Sequence, residues 1–109
     1  MANTLKAVDV VQLTTSFSTV YTVPASTKFT VAMLHICNTT SGAVTIRVCV
    51  VPNAGSPSAS NAILWDFSVA ANDVLEIFKG DIWGVGVTLQ ALAASNTSIN
   101  LKLSGIEST

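Results

Sequence analysis

"HICNTTSGAVTIRVC", residues 35–49, holds the only histidine of the chain and both of its cysteines. Val44, Ile46 and Val48 alternate with Thr45, Arg47 and Cys49, the period of a half-buried strand. The run "KFTVAMLHICN" just before it is strand-like too, and "NTTSG" between them carries Asn, Ser and Gly, the residues of turns. Two such runs joined by a short Gly-containing linker predict a β-hairpin. Arg47 is costly in a core without a partner, so the Val44 row should point inward beside Ala32, Leu34 and Ile36. Val31, Met33, His35, Cys37, Arg47, Cys49 and Val51 then share the outer face.

That hairpin gathers no chemical site. It sets Cys37 opposite Thr45, His35 opposite Arg47 and Cys49 opposite Met33. The two cysteines are then about 13 Å apart at ~3.3 Å per residue. A disulfide needs Cα atoms within about 7 Å, and zinc holds its ligands at about 2 to 2.3 Å. His35 and Cys37, two positions apart on one strand, stand some 6 to 7 Å from each other with no oxyanion donor in view. The expected reading is a neutral half-buried histidine and two free thiols, with no catalytic residue, no cofactor and no metal. Asn72, Asp73 and Asp81 lack the dense acidic spacing of a calcium loop, and Asp73 reads as turn chemistry. Asn38-Thr39-Thr40 and Asn96-Thr97-Ser98 fit the glycosylation pattern but also read as turns. Trp65 shares a strand face with Ile63, Phe67 and Val69 and is expected in the core or a subunit interface. For a saccharide site, Trp83 is the first choice among the aromatic residues, with Tyr21 and the Ser-rich loop after Pro52 as the alternatives.

Composition points away from several function classes. Half of the 109 residues are apolar and only 10% are charged, against about 25% in a typical soluble domain. The mean hydropathy is +0.58. Large apolar patches seldom stay exposed, so this balance fits a protein whose surface neighbours partly cover. Five basic and six acidic residues, scattered along the chain, give no footprint for nucleic acid. The apolar stretch from Ile82 to Ala94 is too short for a membrane helix, which takes roughly 20 residues, so no membrane partner is expected. The first residues lack a basic segment followed by an apolar one, so no export signal is expected and synthesis is assigned to a cytoplasm.

Turn signals recur along the whole chain. "FSTVYTVP" is stopped by Pro24, and Pro52 opens "NAGSPSASN", which reads as a mobile loop without an apolar anchor. "AILWDFSVA", "VLEIFKG", "WGVGVTLQAL" and "SINLKLSGIE" follow, and Gly84 and Gly86 alternate within a predicted strand. This spacing predicts an all-β fold, a single antiparallel β-sandwich of jelly-roll or immunoglobulin type with about seven or eight strands. Its inward row is expected to hold Leu34, Ile36, Val44, Ile46, Val48, Ile63 or Leu64, Leu75, Leu101 and Leu103. Residues 1–16 read as an N-terminal arm or edge strand and residues 17–109 as the sandwich domain.

Several of these pieces together resemble small virion proteins of tailed bacteriophages and prophages. "VYTVPASTKFTVAMLHICNTTSGAVTIRVCVVP" is similar to a pattern in which an aromatic-Thr-Val-Pro turn leads to a strand ending in Cys-Asn-Thr. A strand with Val-Arg-Val follows in both. "NAILWDFSVAANDVLEIFKGDIW" and the closing "LKLSGIE" extend the likeness over most of the chain after residue 17. The resemblance implies a β-sandwich building part of the virion, made in the host cytoplasm. A capsid decoration (cement) protein bound to the major capsid protein is the first expectation. A tail, neck or fibre protein, or a carbohydrate-binding module on the virion, is the second. The apolar outer face of the hairpin adds a partner, further copies of the chain, with a homotrimer favoured. The expected interface is Val31, Met33, Cys37, Cys49 and Val51.

Overall fold

The computed structural model describes residues 2–77 and 80–109. Among them are ten strands: β1 (Asn3–Ala7), β2 (Val11–Gln12), β3 (Ser18–Thr22), β4 (Lys28–Asn38), β5 (Val44–Val51), β6 (Ala62–Val69), β7 (Val74–Ile77), β8 (Ile82–Trp83), β9 (Thr88–Ala93) and β10 (Ile99–Ser108). The one helical turn described is a short 3-10 segment, Ala59–Asn61. Phe78 and Lys79, assigned by sequence to the run that begins at Val74, lie outside the described residues.

The strands form two antiparallel sheets. In the first the order is β1-β10-β4-β7, with β2 also on β10 and β8 also on β4; in the second it is β3-β9-β5-β6. From β2 onward the chain passes from one sheet to the other at nearly every connection, and only the β5–β6 and β7–β8 steps stay within a sheet. This is a jelly roll, so of the two expected sandwich types the immunoglobulin alternative drops out. The space between the sheets is filled by the alternating apolar rows. Leu34, Ile36, Val44, Ile46, Val48, Leu101 and Leu103 are buried as expected, and Ile63, Leu64 and Leu75 pack against them half-buried. Tyr21, Phe29 and Trp83 add an aromatic line, with centroids 4.6 and 5.6 Å apart.

The predicted hairpin is not formed. β4 pairs with β10 and β7 in the first sheet, whereas β5 pairs with β9 and β6 in the second. Residues 39–43 are therefore an arch across the sandwich, and Asn38 explains why. Its side chain is fully buried, and its Nδ2 donates to the carbonyls of Gly42 (2.9 Å), Val69 (3.0 Å) and Ala70 (3.2 Å). Its Oδ1 accepts from the amide and the hydroxyl of Thr40. One amide thus ties the end of β4 to the end of β6 in the opposite sheet. The arch backbone bonds elsewhere as well, Thr39 N to Ser98 O and Asn72 N to Thr40 O.

Gly84 and Gly86 lie in the turn between β8 and β9, not within a strand, and Gly86 has a φ of 80° that suits glycine.

Candidate functional site

Strand alternation sorts the five expected interface residues, and a bulge alters the result. On β4 the burial pattern changes phase: Phe29 and Val31 point inward, then Leu34, Ile36 and Asn38. The register against β10 slips where Ser104 faces Met33 and Gly105 faces Val31, which leaves Ala32 without a partner. One extra residue reverses the faces on either side of it. Val31 is consequently in the core and Ala32 is exposed, opposite to expectation. Met33, His35 and Cys37 do lie on the outer side of the first sheet, half-buried.

Cys49 and Val51 fail as exposed interface residues for a different reason. They face the outer side of the second sheet, beside Gln90 and Thr88 on β9. Both are nevertheless buried, because the Pro52–Asn61 loop folds back over β5. The Cys49 thiol donates to Ser58 O (3.5 Å), and Gly55 sits against Val51. The loop is pinned by its own bonds, Gly55 N to Pro52 O, Ser58 N to Asn61 Oδ1 and Asn61 Nδ2 to Ser56 O. It does have apolar anchors, and they are Cys49 and Val51. Burial pushes the Cys49 thiol up, so it stays protonated. Cys37 and Cys49 are both free and lie on different sheets.

His35 is likewise not beside Arg47. Across the first sheet it stands between Lys102 and Glu76. A shallow hollow of about 290 Å³ at this place is lined by Val10, His35, Cys37, Asn100, Leu101 and Lys102. Among the described residues no three of His, Cys, Asp and Glu converge as metal ligands, at the Asn72–Asp81 turns or anywhere else.

Two outer surfaces remain. On the first sheet, Leu5, Ile106, Thr30 and Ile82 face one another in order across β1, β10, β4 and β8. Leu5 is 84% exposed and Ile82 66%. Beside this row run Ala7, Ser104 and Met33. Leu5, Ile106 and Ile82 give this row an apolar character, and Asn3, Ser108 and Lys28 flank it on the other side.

On the second sheet, Arg47 faces Leu92 of β9, and its guanidinium lies 4.0 Å above the ring of Trp65. It also grips Asp66 with both arms, Nε to Oδ1 at 2.6 Å and Nη2 to Oδ2 at 3.2 Å. Phe17 stacks on Trp65 at 6.5 Å. The register of β6 against β5 skips here, with Phe67 opposite Ile46 and Leu64 opposite Val48, so two residues bulge opposite Arg47. Asp66 takes the left-handed backbone, φ 52°, that Asp tolerates better than most residues. The Arg47 partnership holds the Asp66 carboxyl below the usual carboxylate range. Trp65 is thereby exposed beside a carboxylate, while Tyr21 and Trp83, the saccharide candidates of the sequence, are buried in the core. The bulge that turns Trp65 outward leaves no mark in the alternation of the sequence.

No protein-family model matches the chain, and no curated protein is similar to it in sequence. In structure it is similar to a subunit of Bacillus endospore appendages, described as disulfide-linked pili. That likeness has a TM-score of 0.60 and 10% identity, over 99% of this chain and 87% of the other. It is also similar to a protein of infectious bursal disease virus, Gx strain, at a TM-score of 0.49 and 8% identity. There it spans 97% of this chain and 31% of the other. The first likeness agrees with the two-sheet fold described above.

Proposed function

We propose that this chain is a structural subunit of a virion, a capsid decoration protein of a tailed bacteriophage that docks on the major capsid protein and stabilises the head. The observation that carries the reading is the apolar row Leu5–Ile106–Thr30–Ile82 on the outside of the first sheet. A folded domain seldom leaves such a surface wet unless another protein covers it. The resemblance to virion proteins, and a fold neighbour whose subunits build pili, support the same class. Tail, neck and fibre positions on the particle follow from the same surface. Of the five residues from which the trimer is expected, Val31, Cys49 and Val51 are buried, while Met33 and Cys37 remain half-buried on the outer side of the first sheet. The test is to raise antibody against the chain and examine particles purified from a lysate that produces it. The reading expects the protein in stoichiometric amount on the particles, and heads stripped of it should burst at lower temperature. Finding it only outside the particles would reject the reading.

A second reading has one observation of its own. Trp65, 38% exposed and covered in part by Arg47 and Phe17, puts an aromatic ring beside the hydrogen-bonding groups of the Arg47–Asp66 pair, a combination that a neutral sugar with a vicinal diol can engage. A glycan array probed with wild type and Trp65→Ala decides it. Binding that is lost on substitution supports a saccharide platform, and no binding by the wild type removes it.

A further inference from the structure

β1 is a strand whose five residues are all exposed. It pairs along one edge with β10, in unbroken register from Asn3↔Ser108 to Ala7↔Ser104. An open edge of this kind is a template for another strand, and proteins usually blunt it with proline, a bulge or several charges. β1 has no proline, no slip in register and a single charge, Lys6. Its central residue, Leu5, is the most exposed large apolar side chain among the described residues.

We infer that β1 is the dimerisation strand of the protein, pairing antiparallel with β1 of a second copy about a two-fold axis through Leu5. This rests on the structural-subunit reading above and names the first partner in that assembly. The occupant is identified by self-complementarity. In a five-residue strand folded on its own centre, Asn3 meets Ala7 of the other copy, Thr4 meets Lys6, and Leu5 meets Leu5. The two most exposed leucines cover each other, and each Lys6 faces a threonine instead of its own like charge. The apolar row also becomes continuous through the axis. It runs from Ile82, Thr30, Ile106 and Leu5 of one copy into Leu5, Ile106, Thr30 and Ile82 of the other. The first sheets of the two copies join into one, and the row of exposed apolar side chains runs across both copies toward a larger partner. Two-fold pairing of identical surfaces is the commonest closed arrangement of homo-oligomers.

The test is analytical ultracentrifugation of the full chain with disulfide trapping. Directly opposed residues in an antiparallel pair have Cα atoms about 4.5 to 5.5 Å apart, within reach of a disulfide. Leu5→Cys in a Cys37→Ser background should therefore oxidise to a covalent dimer and nothing larger. Asn3→Cys in the same background should not. Leu5→Lys, at a position where the side chain is 84% exposed in its own subunit, should keep the wild-type circular dichroism spectrum. It should raise the dimer dissociation constant about a hundredfold, from loss of two buried leucines. A wild-type monomer at tens of micromolar overturns the inference. So does a dimer that Leu5→Cys fails to trap, or a trimer or open-ended chain. None of these results touches the structural-subunit reading, which the particle experiment judges separately.

Discussion

Asn38 is the residue on which the sandwich turns. Its side chain makes five hydrogen bonds from a buried site, three of them to carbonyls. Asn38→Ala should therefore cost about 3 kcal/mol, from the bonds lost and the hole left in a buried site. Urea unfolding would measure it, and a loss below about 0.5 kcal/mol, the level of a surface change, would contradict that role. Tyr21 joins the sheets at the other side of the core, donating its hydroxyl to Glu107 at 2.5 Å from β3 to β10. Burial, and then the Glu107 carboxylate, push the phenol well above its ordinary value. A raised value means that the folded state favours the protonated form. Its stabilisation is complete below the ordinary phenol value of about 10 and is lost as the pH climbs beyond it. Tyr21 is the only tyrosine, so phenolate absorbance reports it alone. Native protein should show no phenolate where free tyrosine is ionised, until unfolding releases it. A titration at the free-tyrosine position with the fold intact would exclude the buried bond.

At the scale of elements, alternation told which side chains share a face but not which strands pair. Val44, Ile46 and Val48 point inward as their spacing required. The same spacing is equally compatible with a hairpin or an arch, and the amide of Asn38, read in sequence only as turn chemistry, selects the arch. Bulges are the other illegible feature, because one unpaired residue leaves no trace in composition. Ala32 opposite the Ser104–Gly105 step moved Val31 into the core, and the step opposite Arg47 moved Trp65 out of it. Gly105 is where the first bulge is enforced. A Cβ there would overlap the Thr30 carbonyl and the Phe29 ring. Gly105→Ala should thus destabilise by about 1 to 3 kcal/mol, as overpacking does, whereas Gly42→Ala, with open space around it, should not. Equal melting temperatures for the two variants would count against the close approach. The Pro52–Asn61 loop yields a third expectation. Val51→Lys puts a charge under that loop, so it should unfold the loop and lower stability by several kcal/mol. Unchanged stability with altered assembly, the outcome an exposed Val51 would give, would show that the loop does not cover it.

For the whole molecule, the fold class was legible from the turn signals that recur along the chain. The exposed surfaces were not. They depend on β1, on Ile82 and on the bulge in β6, features set by pairing between distant segments. What the jelly roll presents is a body with two usable outsides, the Leu5–Ile82 row of the first sheet and the Trp65–Arg47–Asp66 cluster of the second. Neither looks inward on a cleft. That arrangement suits a part that sits between or upon other proteins. Cryo-electron microscopy of particles purified from a producing lysate tests this most directly. Two-sheet densities on the head exterior, with the face bearing Leu5, Ile106 and Ile82 turned against the shell, are the predicted result. Particles carrying no such density, with the chain recovered only from the soluble fraction, would contradict it.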